Sequence, residues 1–149
     1  MAGDIVIRSV GKDERAAWDS LWNGYLAFYN ATLAPGASDV AWQRFHDPDE
    51  PMFLLGACAD GKLIGIVQYL FHRSSWTPGN YCYLQDLYVS EEARGLGAGR
   101  ALIEAVYERA KQAGASRVHW LTQASNMQAR ILYDKVAEFS GFIQYRHLF

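Results

Sequence analysis

Along this chain apolar residues fall either into short blocks or into runs with helical spacing, and the switches between the two mark the elements. Ile5-Val6-Ile7-Arg8-Ser9-Val10 is a β-prone run that predicts a first strand. From Asp13 the period lengthens. Trp18, Leu21, Trp22, Tyr25, Phe28 and Tyr29 recur three and four apart and give a helix one aromatic face, with Asp13 and Glu14 at its positive end. Ala34-Pro35-Gly36 is a turn, after which Ser38 or Asp39 caps a short helix reaching His46, itself read as a surface residue. Phe53 to Ala59 and Leu63 to Phe71 flank Asp60-Gly61, a pair suited to a type I′ hairpin turn. After a polar loop, Tyr81 to Val89 predicts a third strand of the same meander. Gly99 to Gln112 carries Ala101, Leu102, Ala105, Val106, Arg109 and Ala110 along one helical face, with Gly114 as its C-terminal stop. Arg117 to Thr122 is the next strand, parallel to the one before the helix. Ser125 and Gln128 form a capping box for a last helix carrying Ala129, Leu132, Tyr133 and Val136, and Gly141 to Tyr145 closes the chain as a strand.

Composition narrows the class. The chain has 149 residues, 50% hydrophobic and 14% aromatic, which predicts one globular domain over residues 1–149. A net charge of −2 gives no electrostatic footprint for nucleic acid or an anionic membrane, and no apolar run approaches a membrane span. No basic and apolar leader is visible at the start. Cys58 and Cys82 lie in strand-like context without metal or redox spacing, so buried free thiols and a cytoplasmic setting are expected, with no metal.

The chemistry concentrates at Leu84–Arg100. A β-prone run breaks at Ser90-Glu91-Glu92, then reaches Arg94, glycines at 95, 97 and 99, and a helix. Helix-start amides with no intrahelical acceptor, at the positive dipole end, make an anion site that glycines let a phosphate approach. Arg94 and Arg100 flank it. Gly99 is followed by Arg100-Ala101 rather than Lys-Ser/Thr, so this is no P-loop, and the glycine spacing is not that of a dinucleotide fingerprint.

Arg94-Gly95-Leu96-Gly97-Ala98-Gly99 resembles the R/Q-x-x-G-x-G/A signature of the GNAT superfamily of N-acetyltransferases. Asn126-x-x-Ala129-x-x-Leu132-Tyr133-Asp134-Lys135 is similar to its second motif. The resemblance, nearest to the histone/polyamine acetyltransferase-like members, runs over essentially the whole chain. It implies an α/β (α+β) GNAT fold: a mixed sheet of about six to seven strands with flanking helices and a splayed parallel strand pair. It implies acetyl-CoA as acyl donor, held by Leu87, Tyr88 and Val89 through their backbone, by Arg94, Gly95, Leu96, Gly97, Ala98, Gly99 and Arg100, and by Asn126, Ala129 and Lys135. Tyr133 takes the place of the general acid. Helix residues Tyr25 and Tyr29, with Tyr83 and Gln85 on the strand, line the acceptor site. Y-L-Q-D-L-Y-V resembles a diamine acetyltransferase strand in which glutamate serves as base. Gln85 stands there and cannot take a proton, which leaves Asp86 as catalytic acid-base candidate, cation attractor or structural acid. Strand residues alternate faces, so Gln85 and Asp86 reach one site only if a bulge intervenes. The implied activity is direct acetyl transfer to a small amine or polyamine. A protein lysine or N-terminal acetyltransferase is the alternative within the class, and a non-catalytic CoA-binding module the one outside it. A homodimer is allowed by the resemblance.

Overall fold

A computed structural model describes residues 4–149. In chain order its elements are β1 (Val6–Ser9), α1 (Arg15–Phe28), α2 (Ala37–Phe45), β2 (Met52–Ala59), β3 (Lys62–His72), β4 (Tyr81–Val89), α3 (Ala98–Gln112), β5 (Val118–His119) and α4 (Met127–Val136). Single 3-10 turns at Lys12–Glu14 and Glu91–Ala93 precede α1 and α3. The hairpin between β2 and β3 closes as the Asp-Gly pair demands, with φ of 52° at Asp60 and 77° at Gly61.

The strands form one sheet in sequence order. β1 to β4 pair antiparallel, and β5 joins β4 in parallel after the crossover through α3. Each face carries its own core. Leu55, Val67, Tyr69, Cys82 and Leu84 meet Leu102, Ile103 and Val106 of α3, with Leu132, Tyr133 and Val136 of α4 packed against them. On the other face Leu54 and Ile66 meet Trp18, Leu21 and Trp22 of α1 and Trp42 and Phe45 of α2. Burying side chains of this size contributes about 1.5–3 kcal/mol each, which fixes α1 on the sheet. Gly24 lets α1 sit close: a Cβ there would lie 2.6 Å from the Tyr88 hydroxyl. Phe28, although on the predicted aromatic face, is 56% exposed.

Five sequence expectations change. The sheet has five strands rather than six or seven. β5 is two residues long instead of spanning Arg117 to Thr122, because the chain veers from β4 after His119. Gly141 to Tyr145 forms no strand: the segment is exposed and has no ladder partner. Ser125 does not cap α4; Asn126 holds the N-cap position, and its side chain donates to Thr122 Oγ1 at 3.3 Å instead of to the helix. His46 is not merely superficial, since its ring nitrogens lie 2.9 Å from the Trp42 and Val10 carbonyl oxygens and tie α2 to the end of β1.

Candidate active site

The register of β3 against β4 shifts by one residue. Gln68 opposes Asp86 while Tyr69 opposes Leu84, so Gln85 is an extra residue on β4. Before this bulge Cys82 and Leu84 face α3; after it Leu87 and Val89 do. The bulge therefore carries Asp86 to the α1 face, where Gln68 meets it.

Asp86 is the end of a polar relay through the core. The indole Nε1–H of Trp18 donates to Gln68 Oε1 at 2.7 Å. Indole can only donate, so the Gln68 amide must turn its nitrogen the other way, and Nε2 donates to Asp86 Oδ2 at 2.8 Å. Tyr25 stands near Asp86 and, with Gln68, favours its charged form. Burial nonetheless outweighs both and lifts the Asp86 carboxyl above its ordinary 3.8. Burial first, then the Asp86 charge, pushes up the phenols of Tyr25, Tyr29 and Tyr83. Tyr133, on α4, is pushed up to about 12 by burial and by Tyr29. Tyr25, Tyr29 and Tyr83 thus lie within electrostatic reach of Asp86, and Tyr133 within reach of Tyr29, and the hydroxyl of Tyr133 stays protonated at neutral pH. Gln85 is exposed at the bulge itself.

Gln68 was missed by the sequence reading, although it is the one polar side chain inside the run Leu63 to Phe71 and is 3% exposed. A second unread pair borders the cluster. His119 stacks on Tyr83 with ring centroids 5.1 Å apart, and its Nε2 lies 3.1 Å from His72 Nε2. His72 Nδ1 sits 2.8 Å from the Arg73 carbonyl oxygen and donates to it. With both rings uncharged, His72 Nε2 must then accept from His119 Nε2–H, which leaves a lone pair on His119 Nδ1. Burial, then His72 and Arg117, hold His119 below its ordinary 6.5.

On the other side of the bulge lies a slot. β5 pairs with β4 only at Cys82 and Tyr83, so from Leu84 to Val89 the β4 edge toward β5 has no strand partner. The splayed pair expected from sequence is present, and Leu87, Tyr88 and Val89 line it. At its mouth the Arg94–Gly99 turn enters α3. Gly95 and Gly97 take φ of 85° and 83°, conformations that side chains disfavour, and no atom lies within 4 Å of where a Cβ would stand. The first intrahelical bond is Ala101 N to Gly97 O at 3.0 Å, so the amides of Ala98, Gly99 and Arg100 point outward free. Leu96 is 42% exposed at the turn. Arg94 donates to Val89 O at 3.3 Å, and its guanidinium stands 5.9 Å from the Tyr88 ring centroid. Arg100 is paired with Glu104 on the helix surface.

α4 forms the opposite wall. Gly99 packs towards Leu132, and Tyr133 meets Trp120 edge-on at 5.4 Å. Asn126, Ala129 and Tyr133 share its inward face, half-buried, while Lys135 is exposed in its last turn. The geometry offers an extended backbone edge and an amide-lined anion cradle meeting a buried acid among phenols. Both cysteines are free and buried, and burial pushes the Cys82 thiol up to about 12, far from a nucleophile. No cluster of metal-ligating side chains occurs among the described residues.

A model of the acetyltransferase (GNAT) family matches residues 18–139. The D-amino-acid N-acetyltransferase of Saccharomyces cerevisiae is 37% identical over 146 residues, covering 95% of this chain and 89% of the yeast protein. The thialysine N-epsilon-acetyltransferase of Mus musculus is 32% identical over 96 residues, covering 61% of this chain and 56% of the mouse protein. The structure of AAC(6′)-Iy in complex with the bisubstrate analog CoA-S-monomethyl-acetylneamine matches with a TM-score of 0.84 and 17% identity, over 98% of this chain and 99% of that one. That last likeness is one of fold. With the family model spanning most of the chain and its signature turn built at the mouth of a splayed sheet, the protein belongs to the GNAT family and is an N-acetyltransferase.

Proposed function

We propose that the protein transfers the acetyl group of acetyl-CoA to the primary amine of a small molecule, of the amino-acid or polyamine kind, by direct attack. One observation carries this reading: the β4 bulge sets the buried Asp86 carboxyl, with tyrosines near it, beside the stretch of β4 edge that β5 leaves unpaired. The free amides of Ala98, Gly99 and Arg100, with the charges of Arg94 and Arg100, suit a pyrophosphate, and Leu96 covers the turn. The Leu87–Val89 backbone suits the amides of the pantetheine arm, Asn126 can hold the arm, and the small Ala129 leaves it room. Lys135 adds positive charge at the far end of α4.

Bound acetyl-CoA supplies a thioester carbonyl. Asp86 draws the acceptor ammonium into the cleft and takes its proton, a task helped by a carboxyl already raised above its ordinary range. Tyr25, Tyr29, Tyr83 and Gln85 orient the acceptor. Amides of the unpaired β4 edge polarise the carbonyl. As the C–N bond forms and the C–S bond breaks, sulfur would leave with the bonding pair and take a proton from Tyr133 Oη, and the surplus proton on the new amide nitrogen would return to the Tyr133 phenolate. Holding both reactants together supplies the proximity. Relatives named for acetylating D-amino acids, ornithine and thialysine support a small amine over a protein. The two buried thiols suit a reducing compartment, so the cytoplasm is the proposed setting, with residues 1–149 acting as one domain.

The test is thiol release from acetyl-CoA across D-amino acids, ornithine, thialysine, spermidine and a lysine peptide. Amine-dependent release with the small acceptors is expected. Turnover of the peptide alone would overturn the small-amine reading.

A further inference from the structure

Upstream of the bulge the odd-numbered residues of β4, Tyr81 and Tyr83, lie on the same face of the sheet as Asp86. Two side chains from the adjoining strand cover them. His119 stacks on Tyr83, and the Arg117 guanidinium stands 4.2 Å from the Tyr81 ring centroid and 5.8 Å from that of Trp76, which is 75% exposed. Tyr83 and Asp86 are two ladder steps apart on β3 and three residues apart on β4, which sets them roughly 7–10 Å from each other along the sheet. This aromatic and basic patch therefore continues the cleft away from the carboxylate.

Two groups in the patch lack partners of their own. His72 Nδ1 gives its proton to the Arg73 carbonyl oxygen and His119 Nε2–H fills His72 Nε2, so the lone pair on His119 Nδ1 receives no donor among the described residues. With its imidazole held below the ordinary 6.5, His119 keeps that lone pair at neutral pH. Arg117 makes no salt bridge and no side-chain hydrogen bond among the described residues. Tyr81 and Trp76 hold its guanidinium by cation–π contact, which uses none of its N–H groups. One vacant acceptor beside one unpaired cation is the chemical complement of an α-amino-acid head group, whose ammonium donates and whose carboxylate accepts. A polyamine brings a second ammonium in place of the carboxylate, and Arg117 repels it.

We infer that His119 and Arg117 form a head-group subsite for a basic α-amino acid, which presents its distal amine to Asp86. The α-carboxylate pairs with the Arg117 guanidinium, and the α-ammonium donates to His119 Nδ1. The carbon chain runs over Tyr83, and the distal ammonium meets the Asp86 carboxylate. Both α-groups are then engaged, so the distal nitrogen is the one left to attack the thioester. The inference rests on the small-amine reading above and narrows it to one class.

The test compares ornithine with putrescine, which lacks its carboxylate, and with 5-aminovalerate, which lacks its α-amine. Each is titrated calorimetrically into the full chain loaded with CoA, and each is assayed for thiol release from acetyl-CoA. Wild type should bind ornithine at least about tenfold more tightly than either analogue, the scale of one charge-assisted hydrogen bond. Arg117→Gln should cancel the advantage over putrescine. His119→Phe, which keeps a ring against Tyr83, should cancel the advantage over 5-aminovalerate. Arg117 is exposed and His119 half-buried at the last pair of β5, so neither change empties the core. Nuclear magnetic resonance of the product should place the acetyl group on the distal nitrogen. Equal binding of the three compounds by wild type overturns the subsite, as does acetylation of the α-nitrogen or an advantage that survives both variants. Tighter ornithine binding that both variants abolish, with no amine turned over, would support the subsite and sink the transfer reaction. Turnover of putrescine in preference to ornithine would do the reverse.

Discussion

Replacing Tyr133 with phenylalanine separates chemistry from packing at a single atom. The ring is held by Trp120, edge-on at 5.4 Å, and by the α3 face of the core, contacts that a phenyl ring keeps. Tyr107, by comparison, spends its hydroxyl on Val136 O at 2.8 Å. No hydrogen bond accompanies burial and Tyr29 among the influences on the Tyr133 hydroxyl. Its loss should therefore move stability by no more than about 0.5 kcal/mol, which is at most about 2 °C in Tm for a domain of this size. The rate should respond differently. A general acid contributes about 10²- to 10⁴-fold, equivalent to about 2.7–5.4 kcal/mol of barrier. The assay is thiol release with the best small amine, alongside a thermal melt and a CoA titration on the same preparation. A fallen kcat with unmoved Tm and CoA affinity is the expected pattern. An unaltered kcat would refute the assignment and make water the donor to sulfur; a large drop in Tm would show that the hydroxyl has a structural partner.

Three further outcomes are expected. Asp86→Asn should lower kcat and raise KM for the amine without changing CoA affinity. Because folding raises the Asp86 pKa, wild-type stability is fullest below the unfolded value and falls as pH rises through the folded one; urea melts at pH 5 and pH 8 should show that loss in wild type and not in the variant. Gly97→Ala meets no atom, but at φ 83° it should cost about 1–2 kcal/mol of local strain and weaken CoA binding, and a titration showing unchanged affinity would remove the pyrophosphate assignment. Glu14, held at about 2 by two bonds from Arg8 and one from Gly11 N, contributes stability that is present above its ordinary 4.5 and is lost as pH falls toward 2; melts across that window should flatten in Glu14→Gln.

What could be read from the sequence is what short-range chemistry dictates. The Asp60-Gly61 turn, the Gly114 stop and the strand, glycine turn and helix around Arg94 each depend on residues a few positions apart. The slot was legible because its ligands are main-chain groups, for which side-chain identity matters little. The closing strand was not, since a strand exists only where an edge receives it, and no local pattern announces which edge or whose. The cap of α4 shifted from Ser125 to Asn126 by one residue. Gln68 carried a signal, a lone amide in an apolar run, but its meaning depends on Trp18, fifty positions away. Asp86 was recognised as a candidate, while the condition for its use, a bulge, became visible only in the pairing of β3 with β4.

That bulge sets unequal terms for insertion and substitution. Gln85 reverses the parity of β4, so even-numbered positions point to α3 before it and odd-numbered ones after it. Removing Gln85 alone would leave Leu84 opposite Tyr69 and Asp86 opposite Gln68 in an unbroken ladder, with the carboxylate still on the α1 face and Leu87 and Val89 still under α3. A residue gained or lost elsewhere along the paired strand would throw everything beyond it to the opposite face. A lineage can thus exchange Tyr83, Gln85 or Tyr88 one at a time, and it can change the length of this strand by one only at the bulge.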